Sequence, residues 1–143
     1  MTIVQGQTTQ FKTDALSGLV NFAVGTSYTY KIALYTANAN LNNTTAAYTT
    51  TGEVVGTGYT AGGKTLTIST RPTGDTSNNV AYISFDPVTW TGASFTCRGA
   101  LIYNSTTTAT VAVLNFGSDK TTTGTFTVTF PTPSSTTAVI TIS

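Results

Sequence analysis

Histidine is absent from this chain, cysteine occurs once, and only 8% of the 143 residues are charged. Each shortage excludes something. Without histidine the commonest general base and the commonest metal ligand are both missing. A single cysteine, Cys97, allows no internal disulfide, so folding in a reducing compartment is permitted. Six Lys and Arg stand against five Asp and Glu, a net charge of +1. The basic residues Lys12, Lys31, Lys64, Arg71, Arg98 and Lys120 are scattered singly. No basic stripe exists to neutralise a row of phosphates, which argues against nucleic acid and anionic membranes as partners. No run approaches the roughly 20 apolar residues of a membrane helix. The opening MTIVQGQTTQFK lacks the basic-then-apolar layout of a signal peptide, so the chain reads as soluble and without an export signal.

The carboxylates Asp14, Glu53, Asp75, Asp86 and Asp119 are isolated from one another in sequence. No glycosidase-like pair is pointed to, and no catalytic, cofactor or metal residues are expected. Asp75 near Asn78 and Asn79 has calcium-ligand chemistry, but Asp and Asn more often hydrogen-bond the backbone of a turn. Cys97 alternates with Phe95 and Leu101, which reads as a buried structural thiol on their strand face. Trp90 reads as the cap of a core, whereas Tyr48 and Tyr59 fall in loops and are expected to make surface contacts. Asn42, Asn43 and Asn104 begin N-x-[ST] triplets, as chance alone produces in so threonine-rich a chain.

Residues 58–65, GYTAGGKT, match the phosphate-loop pattern G-x-x-x-x-G-K-[ST] letter for letter. Such a loop works only between a buried strand and the start of a helix, whose N-terminus faces the phosphates. Here the continuation KTLTISTRP alternates like a strand, so the string is expected to be a glycine-rich turn feeding that strand.

What the chain has in abundance is threonine, about a quarter of all residues. Threonine is β-branched and fits the pleated, half-exposed face of a strand. Alternation with a period of two marks the strands. Phe126, Val128 and Phe130 oppose Thr125, Thr127 and Thr129; Tyr28, Tyr30, Ile32 and Leu34 oppose Thr29, Lys31 and Ala33. Further strands are expected in KTLTIST, VAYISF, SFTCRGALIY, TVAVLNF and TAVITIS, with a short edge near Glu53–Val55. Turn signals fall in RPTGDTSNN, NSTTTA, GSDKTTTG and PTPSST. This rhythm predicts an all-β fold, a two-sheet β-sandwich of jelly-roll type. One exception, TTQFKTDALSGLVNF, has Phe11, Ala15, Leu19 and Val20 at helical spacing, with Thr8 or Thr9 as cap. The expected organisation is one domain over 1–143: an N-terminal arm (1–10), a short helix (11–22) and the sandwich (28–143). The stretch from Thr36 to Gly52 is the longest without periodicity.

The runs KIALYTANANLNNTTAAYTTTGEVVGTGYTAGGKTLT, VTWTGASFTCRGALIYN and VAVLNFGSDKTTTGTFTVTFP resemble a family of small virion proteins of tailed bacteriophages. They cover roughly residues 31–131, and the FKTDALSGLVNF segment is similar to the family's opening. The resemblance extends to head cement, or decoration, proteins: jelly rolls that sit as oligomers on the outer capsid lattice. It implies a structural protein and no enzyme. The implied partners are the major capsid protein and further copies of the chain, as a homodimer or trimer. The implied location is the outer surface of the virion head, with synthesis and assembly in the host bacterial cytoplasm. The family has no catalytic residues to carry over. Interface residues are expected in the arm (Gln5 and Gln7), in the long loop (Asn40, Asn42 and Tyr48) and at Tyr59 beyond it. The alternative is a tail-associated or receptor module that binds host glycans through exposed loop aromatics.

Overall fold

The period of two becomes two antiparallel sheets in the computed structural model, which describes residues 2–143. In chain order the elements are β1 (Gly6–Gln7), α1 (Thr9–Ser17), β2 (Tyr30–Tyr35), β3 (Lys64–Thr65), β4 (Ile68–Asp75), β5 (Val80–Phe85), β6 (Val88–Asn104), β7 (Thr110–Val128) and β8 (Ile140–Ile142). The larger sheet has the order β1-β7-β6-β2-β3 and the smaller one β4-β5-β8. The chain crosses between them three times: at Leu66 and Thr67 after β3, at Asp86 and Pro87 before β6, and over residues 129–139 before β8. The expected all-β sandwich is therefore present, and its strands divide five and three. The long β6–β7 hairpin keeps both of its strands side by side in the larger sheet.

The main core lies between the sheets. Ile83, Phe85 and Ile140 of the small sheet pack with Ile32, Leu34, Trp90, Phe95 and Ile102 of the large one. Burying each such side chain stabilises the fold by about 1.5–3 kcal/mol. Trp90 is the largest fully buried side chain and belongs to this core, as its position in the sequence suggested. The opposite face of the large sheet is covered as well. Ala33, Tyr35, Leu101, Tyr103 and Val113 form a second cluster with Ile3, Ala39 and Leu41, which come from the arm and the long loop. Double coverage explains why IALY and ALIY read as unbroken apolar runs, since strands buried on both faces lose their polar alternation.

Several boundaries differ from the sequence reading. The helix spans Thr9–Ser17, not 11–22. Thr8 caps it by accepting a hydrogen bond from the Phe11 amide at 3.1 Å. Gly18, expected inside the helix, terminates it in the left-handed region at φ 72°, so Leu19 and Val20 lie beyond its end. The arm is tied down by β1 and by Ile3, which bridges Leu41; Met1 lies outside the described residues. GSDKTTTG is not a turn: all of it runs within β7, which reaches 19 residues. Its first glycine does mark an irregularity, since Phe116–Asp119 face Arg98 alone with Gly117 at φ 80°, and pairing with β6 resumes at Lys120 and continues past Gly124 to Val128. Likewise Arg71–Asp75 belong to β4, and the turn is confined to Thr76–Asn79.

The faces of β6 show why simple alternation misplaced Leu101. Val88 and Trp90 face the main core, then Ala93, Phe95 and Cys97, then Ala100 and Ile102. Parity changes twice, at the pairing irregularities between Trp90 and Ala93 and between Cys97 and Gly99. At the first, Thr91 and Gly92 face Thr125 alone; at the second the extra residues lie in β7, where Phe116–Asp119 face Arg98 alone, and on β6 both keep the large side chains inward. Leu101 therefore faces the second core, away from Phe95 and Cys97.

Candidate functional site

The arm and the long loop, separate in sequence, form one surface. The Val4 amide donates to the Leu41 carbonyl at 2.8 Å, the Leu41 amide to Thr2 at 3.0 Å, and the Thr9 amide to Asn43 at 2.8 Å. Leu41 and Ala39 are fully buried beneath, while Thr2, Val4, Asn38, Asn40, Asn43 and Thr44 are exposed. No Asp, Glu, Lys or Arg occurs in residues 1–11 or 32–52. Bordered by Arg98 beside Thr2 and Ala37, the two segments thus contribute no charged side chain of their own and present amides and hydroxyls. Such groups both donate and accept hydrogen bonds, so recognition here is short-range and geometric.

The loop is held locally as well. Asn42 Oδ1 accepts from the Thr44 amide at 2.8 Å and from Thr44 Oγ1 at 2.6 Å, and the Asn42 amide donates to Thr45 Oγ1 at 3.0 Å. Of the expected interface residues, Asn40 is exposed and Asn42 half-buried on this surface. Gln5 is exposed along the arm, where its Oε1 accepts from the Asn115 amide at 3.1 Å. Gln7 reaches the other way, its Nε2 donating to the Thr141 carbonyl at 2.6 Å. It ties the two sheets together at their open seam.

Tyr48 and Tyr59 do not lie outward as expected for surface contacts. Both hydroxyls turn in to Glu53, which is buried at 7% exposure. Tyr48 donates to Oε2 and Tyr59 to Oε1, each at 2.6 Å, and the Gly62 amide adds a third bond to Oε1 at 2.7 Å. Charge-assisted bonds of this kind are about twice as strong as neutral ones, which is why a carboxylate is tolerated here. Tyr59 also accepts from the Leu34 amide at 2.9 Å, Tyr103 donates to the Gly62 carbonyl at 2.7 Å, and Tyr35 donates to Thr49 at 2.6 Å. Tyr48 stacks on Tyr103 with ring centres 4.7 Å apart. Burial, then the neighbouring carboxylate, pushes the Tyr35 hydroxyl above its ordinary value; for Tyr48 and Tyr59 burial is followed by the hydrogen bond to Glu53. The cluster pins residues 48–62 onto β2 and β6, and every polar atom in it has a partner. The sequence offered one signal, Glu53 as the only charge between Lys31 and Lys64; its tyrosine partners became visible only in three dimensions.

The string GYTAGGKT ends in β3, and β4 follows from Ile68. The turn feeding a strand is what the alternation indicated. Lys64 Nζ donates to the Thr89 carbonyl at 2.6 Å and lies 5.9 Å from the centre of the Trp90 ring. Gly63, at φ 74°, sits so close to β2 that a Cβ would overlap the Ile32 carbonyl. Its role is backbone approach between strands. Asp75 folds into the β4–β5 turn, accepting from the Ser77 and Asn78 amides at 3.1 and 3.2 Å and from Asn78 Nδ2 at 2.8 Å. Hydrogen bonds from Asn78, then Ser135, hold its carboxyl below the usual range. Cys97 is fully buried, and burial pushes its thiol up to about 12, with Asp119 adding to the shift. Among the described residues no group of three His, Cys, Asp or Glu gathers to hold a metal ion, and no helix is long and apolar enough to cross a membrane.

No protein-family model, curated protein or solved structure matches the chain. The likeness to phage virion proteins rests on the sequence runs alone.

Proposed function

We propose that this chain is a capsid cement protein of a tailed bacteriophage. In this reading it lies on the outer face of the major capsid lattice and stabilises the head by bridging neighbouring subunits. The observation that carries the reading is the junction of the arm and the Thr36–Gly52 loop into one uncharged surface on a doubly covered sheet. A clamp needs a rigid body and a contact surface, and no reactive group. Stable interfaces bury about 1,600 Å² in total, and repetition around a shell adds avidity to each contact. The glycan-binding alternative was built on exposed Tyr48 and Tyr59, whose hydroxyls are turned onto Glu53.

The test is add-back to heads stripped of their decoration. Stoichiometric co-sedimentation and a rise in the temperature at which heads release DNA are expected. Saturating protein that neither co-sediments nor protects the heads would end the cement reading.

A further inference from the structure

Among the described residues the longest uncovered sheet edge belongs to one strand. β1 and β3 are two residues each, β4 contains Pro72 and two register shifts, and β8 is three residues with its Thr141 carbonyl taken by Gln7. β7 differs. β1 covers it only at Ala112 and Val113, and Gln5 takes the amide of Asn115. From Ser118 to Val128, among the described residues, no strand pairs with its outer side. Within this stretch Thr122 Oγ1 donates to the Thr125 carbonyl at 3.0 Å and Lys120 Nζ to Ser118 Oγ at 2.9 Å. An edge strand presents alternate N–H and C=O groups outward, a template for another strand unless charge, proline or a covering element guards it.

We propose that the Ser118–Val128 edge of β7 pairs antiparallel with the same edge of a second copy, joining two five-stranded sheets into one. A two-fold axis brings one edge against itself, so the edge must be compatible with itself. Thr121, Thr123 and Thr127 are exposed and uncharged. Threonine pairing across strands is already used within the chain: Thr89 and Thr127 hydroxyls lie 3.0 Å apart, Thr96 and Thr121 hydroxyls 2.8 Å apart. The edge's two charges, Asp119 and Lys120, are opposite and adjacent at one end, and a net charge of +1 leaves copies without strong mutual repulsion. The inference is independent of the cement reading, because self-pairing needs no capsid and a monomer could still decorate one.

The experiment is analytical ultracentrifugation of the full chain across a wide concentration range, beside the double variant Thr123→Lys/Thr125→Lys. Both substituted side chains are exposed, and circular dichroism with a melting curve verifies the fold. A concentration-dependent dimer is expected for the parent, with association at least about tenfold weaker in the lysine variant. Single variants Thr121→Cys, Thr123→Cys and Thr125→Cys give a second readout that does not depend on the lysines. Cys97 is fully buried, so the introduced thiol is the accessible one. The cysteine nearest the two-fold axis is expected to form a disulfide-linked dimer under mild oxidation, and Thr73→Cys on β4 is not. A parent that stays monomeric throughout overturns the proposal. So does a dimer indifferent to the lysines, or cross-linking no faster than from Thr73→Cys.

Discussion

Glu53 holds Tyr48 on one carboxylate oxygen and Tyr59 on the other, both at 2.6 Å, so one buried charge fastens two aromatic rings eleven residues apart in the chain. Glu53→Ala leaves both hydroxyls and the Gly62 amide without their acceptor. A loss of about 3 kcal/mol is expected, from orphaned groups at roughly 1–3 kcal/mol each. Glu53→Gln keeps the shape and is expected to cost less. Chemical denaturation of the three proteins checks the ranking.

The same cluster sets an alkaline limit. Tyr35, Tyr48, Tyr59 and Tyr103 of this cluster, and Tyr30 in the main core, all have hydroxyls raised above the ordinary value of 10.0, with burial the leading cause. A raised folded-state value means that the unfolded chain releases these protons first. Their contribution is complete below about pH 10 and is lost as pH climbs toward the folded-state values. Stability is therefore expected to fall steeply above that pH, with tyrosinate absorbance rising together with unfolding. Tyrosinate that appears smoothly while the fold persists would contradict this.

For the glycine-rich string the two substitutions should differ in kind. Gly63→Ala forces a Cβ onto the Ile32 carbonyl at a left-handed residue. Overpacking and backbone strain together are expected to cost about 3 kcal/mol. Lys64 is exposed, and Lys64→Ala removes a bond to Thr89 and a contact with Trp90, at about 1 kcal/mol. Calorimetric titration of the parent with ATP and magnesium should be flat.

Cys97 should be silent to thiol reagents in the folded protein, because it is fully buried and its thiol is pushed up to about 12. Labelling is expected to follow the opening of the β6–β7 ribbon and to accelerate in denaturant. Rapid labelling under native conditions would show that this end of the hairpin is open.

If the arm-and-loop surface is the capsid contact, its lack of charge has a measurable signature. Head binding should change little with added salt, since screening acts on charges. Asn40→Asp and Val4→Asp should weaken binding while leaving the melting temperature unchanged, as both residues are exposed. Binding that collapses with salt would place the contact elsewhere.

The sequence made the all-β class and most strands readable, because threonine against apolar residues is a plain two-state pattern. Phe126, Val128 and Ile32 lie where alternation put them. It misled where backbone pairing overrode local composition: GSDKTTTG looks like a turn by its residues, yet only a bulge forms at Gly117–Asp119 and the partner strand holds Lys120–Gly124 extended. The second core was illegible for a related reason. Ala39 and Leu41 sit in a stretch with no period, and only docking against β2 and β6 reveals them as core. Tyr48 and Tyr59 were placed outside because they fall in loops; Glu53 supplied the reason to turn inward.

The slip in β6 between Trp90 and Ala93 decides how that end of the hairpin would answer a change of chain length. Thr91 and Gly92 together oppose Thr125, and this bulge keeps Trp90 on the face of Phe95 although their spacing is odd. Deleting Gly92 alone would take out the bulge and not the core: Thr91 would sit singly opposite Thr125, and Trp90 and Val88, then at even spacing from Ala93, would still turn inward.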